Sequence, residues 1–81
     1  MKASIEIRIR PKVGRTRTAN IDVEYSDWLA EIKVKEIGEL ISITNPKVSV
    51  EVAYLVFNNI SNTWMEMFAY RSETREIIVF S

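Results

Sequence analysis

Alternation of apolar and polar residues near the beginning of the chain is the pattern that most constrains its fold. Isoleucines occupy every second position within residues 3–10, at Ile5, Ile7 and Ile9. A period of two is typical of a β-strand that has one face on a hydrophobic core. Pro11 and Gly14 predict a turn, and the alternation resumes from residue 16 to residue 25. Residues 3–25 therefore predict a β-hairpin.

The register of this hairpin is constrained because both strands must turn their apolar faces to the same side of the sheet. A connection over residues 11–15 meets this requirement and places Ile5 opposite Ile21. The pairs that this register forms on the outer face are Ser4 with Asp22 and Lys2 with Glu24. We therefore expect Ile5 to pair with Ile21.

The period changes to that of an amphipathic helix near Asp27. Ser26 or Asp27 offers a side-chain oxygen as the N-cap. Apolar side chains cluster on one side of the predicted helix, at Leu29, Ile32, Ile37, Leu40 and Ile41. We expect a helix of about four turns that ends at Gly38 or at Ile41. Asn45-Pro46 closes the connection, because the residue before a proline avoids the helical region.

A second β pattern follows the helix. Its alternate positions carry the apolar side chains Val48, Val50, Val52, Tyr54 and Val56. Beyond Ala53 both faces are apolar, so either the strand lies between two layers or a bulge near Ala53 turns Leu55 and Phe57 inward. Residues 64–70 fit either a strand or a short helical turn. Residues 76–80 predict a final strand that is apolar on both faces.

The order of these elements is ββαβββ or ββαββ. One helix is then available to cover one face of a sheet, which we expect to be mixed, in an α+β fold. The chain has 81 residues, no cysteine and 47% hydrophobic residues. This composition favours one folded domain over residues 1–81, with a hydrophobic core instead of disulfides.

Five segments carry a family resemblance. They are the basic hairpin Gly14-Arg-Thr-Arg-Thr18, the second strand running into residues 21–27, the helix 29–37, the strand 54–57 and the closing strand 77–80. In these segments and their order the chain resembles the ubiquitin-like β-grasp family. The resemblance implies a β-grasp fold over the whole chain. Conjugating and sulfur-carrying members end in Gly-Gly, whereas this sequence ends in Val79-Phe80-Ser81, so the resemblance is to non-conjugated members, which act as adaptors.

Several kinds of chemistry lack the residues that they need. The chain contains no histidine and no cysteine, which removes the commonest general base, the thiol nucleophile and the usual zinc ligands. Gly14 and Gly38 are isolated, so no glycine-rich phosphate loop is present. The acids of residues 22–31 are interpreted as a solvated strand face, a helix cap and half of a helical ion pair. We expect no enzymatic activity, no catalytic or metal-binding residue and no cofactor.

Positive charge is concentrated in the first hairpin. Residues 1–17 hold six basic residues and one acid, in a chain whose formal net charge is zero. The candidate electrostatic contact residues are Arg8, Arg10, Lys12, Arg15 and Arg17. In the predicted register Arg17 points to the side opposite Arg8 and Arg10, so these charges ring the hairpin tip. One hypothesis is that they steer an acidic protein partner. The alternative is that they contact nucleic-acid phosphate, as in a nucleic-acid-binding or viral or phage accessory protein.

The final strand predicts a second surface. If Ile77 and Val79 face the helix, their neighbours lie on the side that no helix covers. The candidate protein interface on that side consists of Tyr54, Val56, Ile78 and Phe80. The alternative is that residues 64–68 fold over this surface as a second small core.

These observations together predict a small non-enzymatic protein–protein interaction module, an adaptor or an accessory component of a larger assembly. Its expected partner is an acidic protein or a second copy of the chain in a homodimer. The longest apolar run, Val52–Phe57, is far shorter than the roughly 20 residues of a membrane span, so we expect no membrane partner. No secretory signal follows Lys2, and we expect a cytoplasmic location.

Overall fold

A computed structural model describes residues 2–80 and contains one helix packed on a five-stranded sheet. The elements in chain order are β1 (Ala3–Pro11), β2 (Arg17–Val23), α1 (Asp27–Thr44), β3 (Val48–Asn58), β4 (Thr63–Arg71) and β5 (Glu76–Val79). This is the first of the two predicted orders, ββαβββ. Residues 64–70 belong to a strand and not to a helical turn. The α+β class is confirmed.

The sheet has the strand order β2-β1-β3-β4-β5, and every neighbouring pair in it is antiparallel. The prediction of a mixed sheet is therefore wrong. The reason lies in the path of α1, which returns the chain to the end of the sheet where β2 began. β3 consequently runs in the same direction as β2, but β1 lies between them, so the two parallel strands do not pair.

The predicted hairpin register is confirmed, with Ile5 opposite Ile21 and Ser4 opposite Asp22. On its other side, β1 pairs with β3 so that Ile5 also lies opposite Tyr54. Alternate residues of β1, β3 and β4 therefore meet α1 on one face of the sheet. The buried core on this face consists of Ala3, Ile5, Ala30, Val34, Val50, Val52, Tyr54, Phe68 and Tyr70.

The helix begins as predicted after Ser26, which is its N-cap residue but makes no side-chain capping hydrogen bond. It ends at Thr44, beyond both predicted ends. Gly38 lies in its buried middle and allows α1 to approach the ring of Tyr70. A glycine inside a helix is normally unfavourable, and here the close packing of α1 on the sheet accounts for it.

The predicted phase of the helix is partly wrong. Leu29, Ile37 and Ile41 are half-buried as expected, but Ile32 is 44% exposed and Leu40 is 64% exposed. The fully buried positions are instead Ala30, Val34 and Gly38. Small residues at the contact let the helix backbone come close to the sheet, and this rotates the two larger side chains toward solvent.

A β-bulge interrupts the pairing of β3 with β4, but it lies in β4 and not near Ala53 of β3, where one of the two predicted alternatives placed it. The register shifts between Tyr54 and Leu55. The extra residue is Met67 in β4, because Tyr54 lies opposite Phe68 and Leu55 lies opposite Glu66. The bulge does not turn Leu55 and Phe57 toward α1. They stay on the face of the sheet opposite α1, which we call the open face.

Candidate functional site

The centre of the open face is occupied by charged side chains. Arg8 Nη1 lies 2.5 Å from Glu51 Oε1 and 3.0 Å from Glu66 Oε1, and Arg8 Nε lies 3.1 Å from Glu6 Oε1. Arg71 Nε donates to the other Glu51 oxygen at 2.7 Å. We call these five residues the charged cluster. Its contacts join β1, β3 and β4 across the sheet.

The charged cluster covers part of the sheet that no helix covers. Ala53 and Ala69 lie opposite each other in β3 and β4, and both are fully buried at 0% exposure. The contact between Arg8 and Glu66 reaches from β1 to β4 and so passes over β3. Small side chains at 53 and 69 leave room for these long side chains to lie flat. The centre of the open face is therefore closed by ion pairs.

Glu51 is the acid at the centre of the cluster, and its side chain is 9% exposed. Burial raises the pKa of its carboxyl, but the hydrogen bonds from Arg8 and Arg71 outweigh burial and hold the pKa below its ordinary value. Hydrogen bonding to Glu6, Glu51 and Glu66 raises the pKa of Arg8 against the opposing effect of burial. Both groups are therefore charged at neutral pH.

The five predicted electrostatic contact residues divide into two sets. Arg8 is held in the charged cluster, and Arg10 lies 3.9 Å from Glu51 although it remains exposed. Lys12, Arg15 and Arg17 are exposed at the hairpin tip and form no ion pair within residues 2–80. We call these three the basic tip. Free positive charge is thus smaller than the sequence predicts.

The four predicted interface residues do not form one surface, and this prediction is corrected. Tyr54 is 0% exposed in the core, where its ring stacks on Phe68 at a centroid distance of 5.1 Å. Val56 lies on the same side as Tyr54 and is half-buried. Ile78 lies opposite Ala69 on the open face, at the far edge of the sheet. Tyr54 and Val56 therefore face α1, whereas Ile78 faces the other side of the sheet, and β4 separates β3 from β5.

Phe80 is 36% exposed beyond the end of β5, and its backbone N–H donates to the carbonyl of Met67 at 3.0 Å. The alternative in which residues 64–68 fold over Ile78 and Phe80 is also wrong. These residues form part of β4, and Phe68 packs in the core against α1. A small surface at Ile78 and Phe80 remains at this edge.

An aromatic surface that sequence reasoning missed lies at one end of the open face. The rings of Phe57 and Trp64 meet edge to face at a centroid distance of 5.3 Å, and Trp64 is 45% exposed. Lys2 Nζ lies 5.2 Å from the centroid of Phe57. Leu55 lies on the same face beside them. We call Leu55, Phe57 and Trp64 the aromatic corner.

Two clefts adjoin the aromatic corner and share Asp22 and Trp64. One of about 330 Å³ is lined by Lys2, Ala3, Asp22, Val23, Glu24 and Trp64. The other, of about 370 Å³, is lined by Ser4, Glu6, Asn20, Asp22, Leu55 and Trp64. Around Trp64 the clefts thus combine apolar side chains with the acids Glu6, Asp22 and Glu24 and with the cation Lys2. The signal in the sequence was an aromatic residue at each side of the predicted turn, at positions 57 and 64.

Residues 2–80 contain no group of three or more acidic, histidine or cysteine side chains placed to hold a metal ion. The helix of this described region is not long and apolar enough to cross a membrane. No protein-family model, curated protein or solved structure matches the chain.

Proposed function

We propose that this protein is a small non-enzymatic protein–protein interaction module, an adaptor or accessory component of a larger assembly. The observation that carries the proposal is the aromatic corner. Tryptophan and other aromatic side chains dominate the binding energy of protein interfaces when a partner covers them. Trp64 is 45% exposed, sits on an aromatic neighbour and borders two clefts.

The chemistry around the aromatic corner indicates what the partner presents there. Glu6, Asp22 and Glu24 line the clefts beside Trp64. A partner with an apolar side chain next to a lysine or arginine complements both the apolar residues and these acids. An acidic partner region fits a different place, the basic tip, which lies at the other end of β2. The corner therefore supplies the contact area in this proposal, and the charges at the two ends orient the partner.

We further propose that the domain is a β-grasp protein located in the cytoplasm. The layering of one helix on a five-stranded sheet and the order of the elements are compatible with a β-grasp-like fold. The wholly antiparallel pairing departs from the mixed sheet that we expected.

A second candidate function is binding of nucleic-acid phosphate by the basic tip. The exposure of Lys12, Arg15 and Arg17 favours it. Arg8 is unavailable for such a contact, because it is bound within the charged cluster. The test measures binding to a nucleic-acid duplex of unrelated sequence. Either no binding at low ionic strength, or binding that is unchanged when these three cations are neutralised, would eliminate this candidate.

The interaction proposal is tested with a matched pair of tryptophan variants. Trp64→Ala and Trp28→Ala each remove one exposed indole, from the aromatic corner and from α1 respectively. A tagged wild-type protein identifies co-purifying candidates, and calorimetry with the purified candidate measures direct binding. We expect Trp64→Ala to weaken binding at least tenfold and Trp28→Ala to leave it unchanged.

The same titration discriminates the surface predicted from the final strand. If Ile78→Ser with Phe80→Glu abolishes binding while Trp64→Ala does not, the interface lies at β5 and the aromatic corner is not the site. Far-ultraviolet circular dichroism of each variant confirms that the fold is retained.

A further inference from the structure

The outer edge of β2 is the end of the sheet, and no strand within residues 2–80 pairs with it. In an antiparallel sheet, alternate residues of a strand hydrogen-bond to the neighbour on one side or the other, and this alternation identifies the unpaired backbone groups of β2. Phe57 N–H donates to the carbonyl of Lys2 at 3.0 Å, so even-numbered residues of β1 bond to β3. Odd-numbered residues of β1 therefore bond to β2, whose odd-numbered residues lie opposite them. The N–H and C=O groups that point away from the sheet are those of Thr18, Asn20 and Asp22.

This edge carries little of the protection usual for edge strands. β2 contains no proline, and its pairing with β1 runs without a bulge from Arg17 to Val23. Residues 17–22 are all exposed. The helix packs mainly on β3 and β4, which leaves Ile21 47% exposed on the side of α1. The edge of β5, in contrast, is only four residues long.

We propose that β2 pairs antiparallel with β2 of a second copy, so that the two sheets join across a two-fold axis at Asn20. A two-fold axis perpendicular to the sheet keeps both helices on the same side and pairs residues of equal parity. Centring on Asn20 pairs it with its own copy and pairs Thr18 with Asp22 of the second copy. In this register all three outward-facing residues of each β2 strand form hydrogen-bonded pairs with one another. A register shifted by two residues in either direction leaves at least one of them without such a partner in the other strand.

The side chains on the face of α1 fit this register. Ala19 lies opposite Ile21 of the second copy, in a non-hydrogen-bonded pair where side chains approach most closely. A small residue therefore meets the exposed isoleucine twice, once on each side of the axis. Arg17 lies opposite Val23, and no pair of like charges faces across the junction.

The charges at the two ends of β2 favour a second copy of the chain as its partner strand and favour antiparallel pairing. The basic tip lies at one end of β2, and Asp22, Glu24 and Asp27 lie at the other end. Antiparallel pairing puts the basic end of each copy beside the acidic end of the other, whereas parallel pairing would put like charges together. The charge distribution of β2 is therefore complementary to that of a second, antiparallel β2.

Sedimentation velocity over a range of concentrations tests the proposal. We expect the wild-type sedimentation coefficient to rise from the monomer value to the dimer value as concentration increases. Asn20→Pro removes an N–H that points away from β1, so the hairpin keeps its ladder and the dimer is lost. The matched variant Ala19→Pro removes an N–H bonded to β1, and we expect it to lower the melting temperature. A wild type that stays monomeric throughout, or an Asn20→Pro variant that folds and still dimerises, overturns the proposal.

A charge-exchange experiment tests the direction without touching the backbone. One protein carries Arg15→Glu, Arg17→Glu, Asp22→Lys and Glu24→Lys together, and the other is the wild type. Each alone should self-associate, because the basic end of one copy still meets the acidic end of the other. A mixture should form no heterodimer, because antiparallel pairing of the two proteins puts like charges together at both ends. A mixture that forms heterodimers overturns the antiparallel arrangement.

This proposal fails separately from the proposed function. The β2 junction shares Asp22, Glu24 and the basic tip with the proposed partner site but does not use Trp64, so Trp64→Ala should leave the dimer intact while it weakens binding of the protein partner. If Trp64→Ala abolishes the dimer instead, self-association runs through the aromatic corner and the β2 proposal is wrong.

Discussion

Gly38 of α1 lies directly against the aromatic ring of Tyr70 in β4. A β-carbon at position 38 would overlap the ring carbons Cδ1 and Cε1 of that tyrosine. Tyr70 is 1% exposed and is among the largest fully buried side chains. The absence of a side chain at this one helical position therefore sets how closely α1 approaches the sheet.

Gly38→Ala should destabilise the protein. Alanine is intrinsically the better helix residue by about 1 kcal/mol, but overpacking against a buried ring costs about 1–3 kcal/mol. We expect a net loss in the free energy of unfolding, measured by urea denaturation. Leu40→Ala, at an exposed position of the same helix, is the control and should change it by less than about 0.5 kcal/mol. A Gly38→Ala variant as stable as this control would contradict the close contact.

Glu51→Gln should weaken the charged cluster. Loss of the charged acceptor for Arg8 and Arg71 should lower the free energy of unfolding at neutral pH by about 1–3 kcal/mol. Glu36→Gln, which affects an exposed pair with Lys33, is the matched control and should have little effect.

The stability contributed by Glu51 should also depend on pH. Because its pKa is lowered in the folded state, this stability is fully present above the ordinary pKa of about 4.5 and is lost as pH falls below it. Denaturation curves of wild type and Glu51→Gln should therefore converge in acid. Curves that stay equally far apart from neutral pH down into acid would show that the ionisation of Glu51 does not stabilise the fold.

Tyr54 and Tyr70 should ionise late in an alkaline titration followed by tyrosinate absorbance. Burial raises the pKa of Tyr54 and Tyr70, and the nearby Asp27 and Glu39 respectively raise it further. The folded state favours the neutral phenols, so stability should hold up to the ordinary pKa of about 10 and fall above it. Tyr70→Phe should remove one late-ionising group. A late part of the curve that Tyr70→Phe leaves unchanged would contradict the burial of Tyr70.

Arg75→Gly should stabilise the turn between β4 and β5. Arg75 has a φ of 57°, a left-handed conformation that costs a non-glycine residue about 1 kcal/mol. We expect a gain of about 0.5–1 kcal/mol in the free energy of unfolding. Thr74→Gly in the same turn gains no such relief and should lower stability. Equal effects of the two substitutions would contradict the prediction.

Local patterns predicted the parts of this fold that local physics determines. The β1–β2 register followed from parity, because a shift of one residue would turn Ile5 and Ile21 to different faces. The phase of α1 did not follow, because apolar residues such as Trp28 and Leu40 also lie on its exposed side. Only the small residues Ala30 and Gly38 show which side packs on the sheet.

The candidate sites depended on which strands lie side by side, and this is not a local property. The sequence pattern predicts a shared surface for Tyr54 and Ile78 because it does not show that β4 lies between β3 and β5. The sequence does not show that Arg8 is bound, because two of the acids that bind it, Glu51 and Glu66, lie more than forty residues away along the chain. Partners at such separations are fixed by sheet order, which a pattern with a period of two does not contain.

The bulge at Met67 has a consequence for changes in the length of the chain. Residues on either side of Met67 already alternate as if it were missing, since Tyr54 opposes Phe68 and Leu55 opposes Glu66. Loss of this residue would leave Glu66 and Trp64 on the open face. Deletion of Met65, between Trp64 and Glu66, would instead place Trp64 on the opposite face. Within this part of β4, the bulge is thus the place where evolution could shorten the strand by one residue and keep both surfaces.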